Sequence, residues 1–372
     1  MDYKALLDRL ASSGNLRSIP SGQTHPVIDL SSNDYMGYAA DPSLQQRFFS
    51  SAANTAIPLT SSAARLLAGS QSHYRALEDR LGDLYGRPAL LFNSGYHANT
   101  GLISGLTDAS DIILADKLVH ASIIDGMKLS DASHARWRHN DISHLERLIV
   151  RHRTESPDAR IWIVVESVYS MDGDTAPIDA LFDLKRRHGN VMLYVDEAHA
   201  VGCIGHRGLG VVADKADADM VDVVVGTFGK ALASQGAYAI LSPMLREVAI
   251  NRCRSFIFST ALPPMSAAWS LFILEHSIGQ DDRRAHLAEM SARMRRNLGL
   301  DQGTQIIPYI IGDAVRTLDI SRTLLDRGIK ILPIRTPTVP PGTERLRISL
   351  NASITPEEID MVSDCLLKVC RL

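Results

Sequence analysis

Short uninterrupted apolar runs alternate along this chain with segments whose apolar residues recur every three or four positions. The runs predict strands buried on both faces, and the three-to-four spacing predicts amphipathic helices. Strands are expected in PALLFNSG, DIILAD, ARIWIVVESVYS, NVMLYVDEAH and DVVVGTFG, with helices such as APIDALFDLKRRHG between several of them. HYRALEDRLGDLYG places Leu77, Leu81 and Leu84 on one helical face and closes with Gly86, a C-terminal stop. The alternation predicts an α/β fold with a mainly parallel sheet, its functional groups gathered at the carboxyl ends of the strands.

The pattern changes near EHSIGQDDRRAHL, where a charged helix follows a long apolar one. Beyond it, IIPYIIG, IKILPIRTPTVPPG and ERLRISLNAS read as the mixed strands of a smaller α+β domain. The expected division is an N-terminal arm over residues 1–40, a large domain over 41–275 and a small C-terminal domain over 276–372. In the arm, Leu6, Leu7 and Leu10 fall at helical spacing among charges, which fits an amphipathic helix and not a signal peptide. In RLRIS, Arg345 and Arg347 share one strand face and alternate with Leu346 and Ile348.

Composition narrows the function classes. A chain of 372 residues exceeds one small core, which agrees with two lobes. The net charge of −3 gives no electrostatic reason to expect nucleic acid or a membrane surface as partner. Cys203, Cys253, Cys365 and Cys370 form no CxxC pair, so no metal is expected and a reducing, cytoplasmic setting is the default. No apolar run approaches the length of a membrane span.

Candidate chemistry lies at the strand ends. The first expected strand finishes at Asn93, Ser94, Gly95 and Tyr96, and His120 follows the next. VVESVYSMDGD offers Glu166, Ser170 and Asp172; LYVDEAHAVG ends in Asp196 and His199; VVGTFGK ends in Thr227 and Lys230. Taken singly, Asp196 and Ser94 read as caps, His120 as a satisfied core histidine, and Lys230 as a solvated residue opening a helix. Together they match pyridoxal phosphate, which needs a lysine amine for its aldehyde and a carboxylate facing its ring nitrogen. It also needs phosphate donors, which small residues and a helix N-terminus supply, Gly95 letting the backbone approach closely. Asp196 would keep the ring nitrogen protonated, His199 would lie near the phenolic oxygen, and His120 would stack on the ring. VDEAH also matches the acidic box of nucleotide-driven helicases, but GTFGKA is no phosphate-binding loop and the charge leaves no nucleic-acid footprint.

Over nearly its whole length the chain resembles the α-oxoamine synthases, fold-type I pyridoxal phosphate enzymes. The resemblance rests on LSSNDYMGY, LLFNSGYHANTG, LVHASIIDG, RHNDISHLERL, SVYSMDGDTAPI, VDEAHAVGCIGHRGLG, TFGKALAS, FIFSTALPP and RTPTVPPGTERLRISL, in order and at the family's spacing. It implies Lys230 as the lysine that carries the cofactor, Asp196 as partner of the ring nitrogen, and Ser170 and His199 at the phenolic oxygen. His120 is implied to stack on the ring, with Ser94, Gly95, Tyr96 and Thr227 along the phosphate. Ser259 and Thr260 are implied to reach the cofactor of a second subunit, so a homodimer is expected. Arg17, Asn33 and Thr338 are implied to line the substrate region, and Arg347 to hold an amino-acid carboxylate. The implied reaction joins L-alanine to a pimeloyl thioester, carried on coenzyme A or a carrier protein, with loss of carbon dioxide. Glycine with acetyl-CoA is the alternative within the family, an aminotransferase a more distant one, and a catalytically silent partner subunit the alternative outside enzymes. Thr60, Ser62 and Ala63 stand where relatives carry glycines, and Ser234 stands where glycine often follows the lysine.

Overall fold

Six apolar segments and one mostly polar edge segment pair into a seven-stranded sheet within the larger of two compact units. The computed structural model describes residues 1–12, 15–17, 19, 28–69 and 71–371. The larger unit comprises residues 36–169 and 175–284; the smaller comprises 1–35, 170–174 and 285–372.

The sheet strands are β1 (Ala89–Phe92), β2 (Ile112–Asp116), β3 (Ser133–Trp137), β4 (Ile161–Glu166), β5 (Val191–Asp196), β6 (Val223–Thr227) and β7 (Ala237–Leu241). Their spatial order is β1-β7-β6-β5-β4-β2-β3. All run parallel except β7, which is antiparallel to β1 and β6. Every residue of β1, β2, β4, β6 and β7 is buried, as continuous apolar runs require. The polar residues of β3 are exposed because that strand forms an edge. Parallel pairing brings the carboxyl ends of β4 and β5 level, with Glu166 opposite Asp196, and Asp196 opposite Val225 of β6.

The helix Ser72–Tyr85 buries Leu77 and Leu81, each contributing about 1.5–3 kcal/mol relative to exposure. Gly86 ends it in the left-handed region at φ 69°, which glycine adopts without a Cβ penalty. Helices Gly95–Leu106 and Ala121–Leu129 pack closely at Gly126, where a Cβ would stand 2.9 Å from the Asn99 carbonyl oxygen. That approach matters for the site, because Asn99 and Ser122 lie on these two helices.

In the smaller unit, β8 (Ile306–Ile310), β9 (Leu332–Ile334) and β10 (Arg345–Ser349) form an antiparallel sheet in the order β9-β10-β8. Ile28–Asp29 pairs in parallel with Ile329–Lys330, joining the N-terminal segment to the C-terminal one. The helix Pro356–Cys370 starts from a capping box in which Thr355 and Glu358 satisfy each other's backbone N–H. The amphipathic N-terminal helix spans Tyr3–Ser12 and has no buried residue. Among the described residues, no helix is long and apolar enough to cross a membrane.

Candidate active site

Strand β5 delivers two adjacent carboxylates to different tasks. Asp196 is buried; its Oδ1 accepts from the Ala198 N–H at 2.9 Å and its Oδ2 from Asn99 Nδ2 at 2.7 Å. Glu197 turns away and accepts from Ser167 Oγ at 2.5 Å and from the backbone N–H groups of Val212 at 2.7 Å and Val211 at 3.1 Å. Full burial pushes the Glu197 carboxyl up to about 7, against the lowering effect of those donors. Glu197 therefore staples the loop at Val211–Val212, and Asp196 keeps its place at the strand end.

The lysine stands on the loop between β6 and β7. Lys230 is half-buried, and its Nζ lies 2.9 Å from Nε2 of the buried His199. Backbone bonds from Phe228 N to Gly236 O at 3.0 Å and from Ser234 N to Phe228 O at 2.9 Å close the loop. Thr227 Oγ1 donates to Gly236 O at 3.0 Å and accepts from Gly229 N at 3.2 Å, so its hydroxyl serves the turn. Ser234 shares a hydrogen bond with Ser270 at 2.8 Å, a contact that a glycine would not make.

His120 is exposed and caps the helix Ala121–Leu129, its Nδ1 2.7 Å from Ser122 Oγ. Desolvation pulls its pKa below the ordinary histidine value; the Asp196 carboxylate opposes this and the Lys230 ammonium adds to it. The imidazole thus feels both charges central to the expected chemistry.

At the start of the helix Gly95–Leu106, Ser94 Oγ accepts from the His97 N–H at 3.2 Å and meets His97 Nδ1 at 2.8 Å. A Cβ built on Gly95 would meet nothing within 4 Å, so the helix end is open for a group to approach its backbone donors. Such an end favours an anion through its free N–H groups and its dipole. Amine, buried carboxylate and open helix N-terminus together fit pyridoxal phosphate. Tyr96 is exposed, and its hydroxyl donates to Asp125 Oδ2 at 2.6 Å. Asn93 Nδ2 donates to Ser259 Oγ at 2.8 Å and to Thr260 O at 2.5 Å, which fixes that segment at the end of β1.

The segment from Thr60 bridges to Thr260 through Ala64 and is anchored by Arg65, whose guanidinium donates to Glu78 at 2.9 and 3.1 Å and to Gln71 at 2.7 Å. Ser62 sits in the left-handed region at φ 51°, where a glycine would be unstrained, and Thr60 Oγ1 accepts its N–H at 3.1 Å.

Within the smaller unit, β10 carries two buried arginines with different surroundings. Arg345 has an anionic partner, Asp172 Oδ1 at 2.6 Å. Arg347 donates only to neutral oxygens: Ser170 O at 2.6 Å, Ser349 Oγ at 2.6 Å, Tyr35 Oη at 3.1 Å and Asn33 Oδ1 at 3.2 Å. A buried guanidinium without a counter-anion among the described residues is suited to take a carboxylate. Arg17 and Thr338 form a separate pair, Nη2 to Oγ1 at 3.3 Å.

The fold thus joins Lys230 to His199 directly and Asp196 to His120 through Asn99 and Ser122; Arg347, Asn33 and Ser170 meet in the other unit. Asn99, Ser122, Tyr194 and Tyr35 are the polar groups that sequence reasoning does not single out. Asn99 and Ser122 do lie in the family-like stretches LLFNSGYHANTG and LVHASIIDG, which is the only signal for them.

Residues 25–366 match the family model described as aminotransferase class I and II. A relative from Pasteurella multocida, provisionally named 8-amino-7-oxononanoate synthase, is 41% identical over 380 residues, 98% of each chain. A Haemophilus influenzae relative with the same provisional name is 44% identical over 374 residues, 96% of this chain and 97% of its own. Among solved structures, a Sphingomonas wittichii serine palmitoyltransferase aligns with a TM-score of 0.90 at 30% identity, covering 100% of this chain and 97% of its own. The S. paucimobilis serine palmitoyltransferase with a bound PLP–myriocin aldimine aligns at 0.89 and 27%, covering 99% and 96%. An 8-amino-7-oxononanoate synthase from Francisella tularensis aligns at 0.76 and 25%, covering 93% and 98%.

Proposed function

Because the chain belongs to the aminotransferase class I and II family, and within it to the α-oxoamine synthases, we propose that it is a pyridoxal-phosphate-dependent acyltransferase of biotin biosynthesis. It condenses L-alanine with a pimeloyl thioester and releases the thiol and carbon dioxide, giving 8-amino-7-oxononanoate. The observation that carries this reading is the Lys230 amine held 2.9 Å from His199 Nε2, together with a second histidine, His120, that senses both the buried Asp196 carboxylate and the Lys230 charge. The identity of about 40% or more to relatives carrying that provisional name supports the choice of substrates.

Bound pyridoxal phosphate supplies an aldehyde that captures amines and a pyridinium ring that draws an electron pair from the substrate's α-carbon. Lys230 holds the cofactor and then, as a free amine, takes the α-proton at Nζ. Asp196 keeps the ring nitrogen protonated, since a neighbouring anion favours the cationic form. Its two N–H donors hold the carboxylate in place and aimed. Ser94 and the N–H groups that open the helix Gly95–Leu106 receive the phosphate. Arg347 takes the alanine carboxylate with parallel hydrogen bonds. In this reading two chains form a homodimer in which Ser259 and Thr260 serve the partner's cofactor. The exposed apolar side chains of Leu66, Leu67 and Phe258, which flank the paired segment, support it.

The test is a thiol-release screen of purified protein with small amino acids against acyl thioesters. Alanine with a pimeloyl thioester, on coenzyme A or a carrier protein, is expected to turn over fastest. Faster turnover of glycine with acetyl-CoA would replace this reading with a glycine C-acetyltransferase.

A further inference from the structure

Asn99 is buried on a helix, where asparagine is a poor former and an unpaired amide is costly, yet each polar atom of its side chain is engaged. Its Nδ2 donates to Asp196 Oδ2 at 2.7 Å and to Ser122 Oγ at 2.9 Å, and its Oδ1 accepts from Tyr194 Oη at 2.7 Å. Ser122 Oγ in turn lies 2.7 Å from His120 Nδ1. We propose that Asn99 is a positioning residue that fixes the Asp196 carboxylate and, through Ser122, sets His120 in its neutral form with the proton on Nε2.

Proton bookkeeping gives the chain its direction. An ionised Asp196 only accepts, so the amide must present its NH2 edge there, which leaves Oδ1 for the Tyr194 hydroxyl to donate to. Burial beside Asp196 raises the Tyr194 pKa well above its usual value, which secures that proton. The second amide proton points at Ser122 Oγ, so the Ser122 hydroxyl sends its own proton to His120 Nδ1. The Ser122 backbone N–H points at the same Nδ1, at 3.2 Å. Nδ1 is therefore an acceptor twice over, and the ring proton belongs on Nε2. The charge at one ring-facing group thereby dictates the tautomer at the other. Gly126 lets the helices of Asn99 and Ser122 come close enough for this, since any Cβ there would press on the Asn99 backbone.

The inference deepens the functional reading and rests on it only for the cofactor. Nitrogen NMR of full-length, histidine-labelled protein without cofactor reads the His120 tautomer, and titration with pyridoxal phosphate reads affinity by absorbance. In the wild type His120 is expected as the Nε2–H form. Asn99→Leu should give mixed tautomers and weaken cofactor affinity about tenfold or more. Ser122→Ala should mix the tautomers only in part, because the backbone N–H at 122 still meets Nδ1, and should change affinity only about threefold or less, because the Asp196 arm survives. A packing role alone would leave the tautomer unmoved. Should Asn99→Leu fail to fold, Tyr194→Phe frees the amide to turn and is expected to weaken affinity with the fold intact. His120 protonated on Nδ1 in the wild type, or a tautomer unchanged in both Asn99→Leu and Ser122→Ala, would overturn the inference. A wild type that binds no pyridoxal phosphate would instead overturn the functional reading, the tautomer result still standing on its own.

Discussion

Lys230 Nζ and His199 Nε2 lie 2.9 Å apart, so one of the two nitrogens must donate and the other accept. Two cations cannot share that contact, and the natural arrangement is a neutral imidazole accepting from the lysine ammonium. On the proposed function, His199 takes a proton from Lys230 before the amine captures an aldehyde. His199→Phe should slow capture of pyridoxal phosphate about a hundredfold near neutral pH, and the deficit should shrink as pH rises toward the lysine range. Stopped-flow absorbance checks this; a deficit independent of pH would argue that His199 acts elsewhere.

Asp196→Asn should fold and bind some cofactor, because the amide oxygen can still accept from one of the two donors, Asn99 Nδ2 or the Ala198 N–H, that the carboxylate holds on separate oxygens. The lost charge should nevertheless cost several factors of ten in exchange of the alanine α-proton, each about 1.4 kcal/mol of barrier. Proton NMR in deuterium oxide measures it. Near-normal exchange would count against Asp196 as the ring-nitrogen partner.

Glu197 sets an unusual pH dependence on stability. Its folded-state pKa is raised to about 7 from an ordinary 4.5, chiefly by burial. Between those values the folded protein keeps a proton that the unfolded chain has released, so stability falls as pH rises. The contribution, on the order of 3 kcal/mol, is fully present below 4.5 and lost as pH passes about 7. The melting temperature of the wild type should therefore gain on that of the non-titrating Glu197→Gln as pH is lowered from about 8 to about 5. A difference that stays constant across this window would show that Glu197 is ionised in the fold throughout.

Arg347→Lys should weaken alanine binding roughly 10–100-fold while the bound cofactor's visible spectrum stays unchanged. Lysine keeps the charge but loses the fork that reaches Ser170 O, Ser349 Oγ, Tyr35 Oη and Asn33 Oδ1 together. Spectral titration with alanine checks the split. A spectrum altered before alanine is added would assign Arg347 to the cofactor's environment.

The buried parallel strands were legible in the sequence because VVVGT, IWIVVE and VMLYVD leave no polar face to interpret. β3 was not, since SHARW at a sheet edge is mostly polar and reads as loop. β7 was also missed: AYAIL follows the glycine-flanked lysine loop, and only pairing with β1 and β6 shows that it is a strand. Strand alternation did place Arg345 and Arg347 on one face. It gave no hint that Asn33, Tyr35 and Ser170, far away in the chain, would bury that face. Asn99 was invisible for a similar reason. An asparagine within a helix reads as solvated until the helix is seen packed against β5 residues that need its amide.

Borohydride reduction of the protein loaded with pyridoxal phosphate, followed by peptide mapping, tests the central claim most directly. The account predicts one pyridoxyl label, on the peptide containing Lys230, and no such label in Lys230→Ala. A label on another lysine, or a wild type that stays colourless and unlabelled, would contradict it.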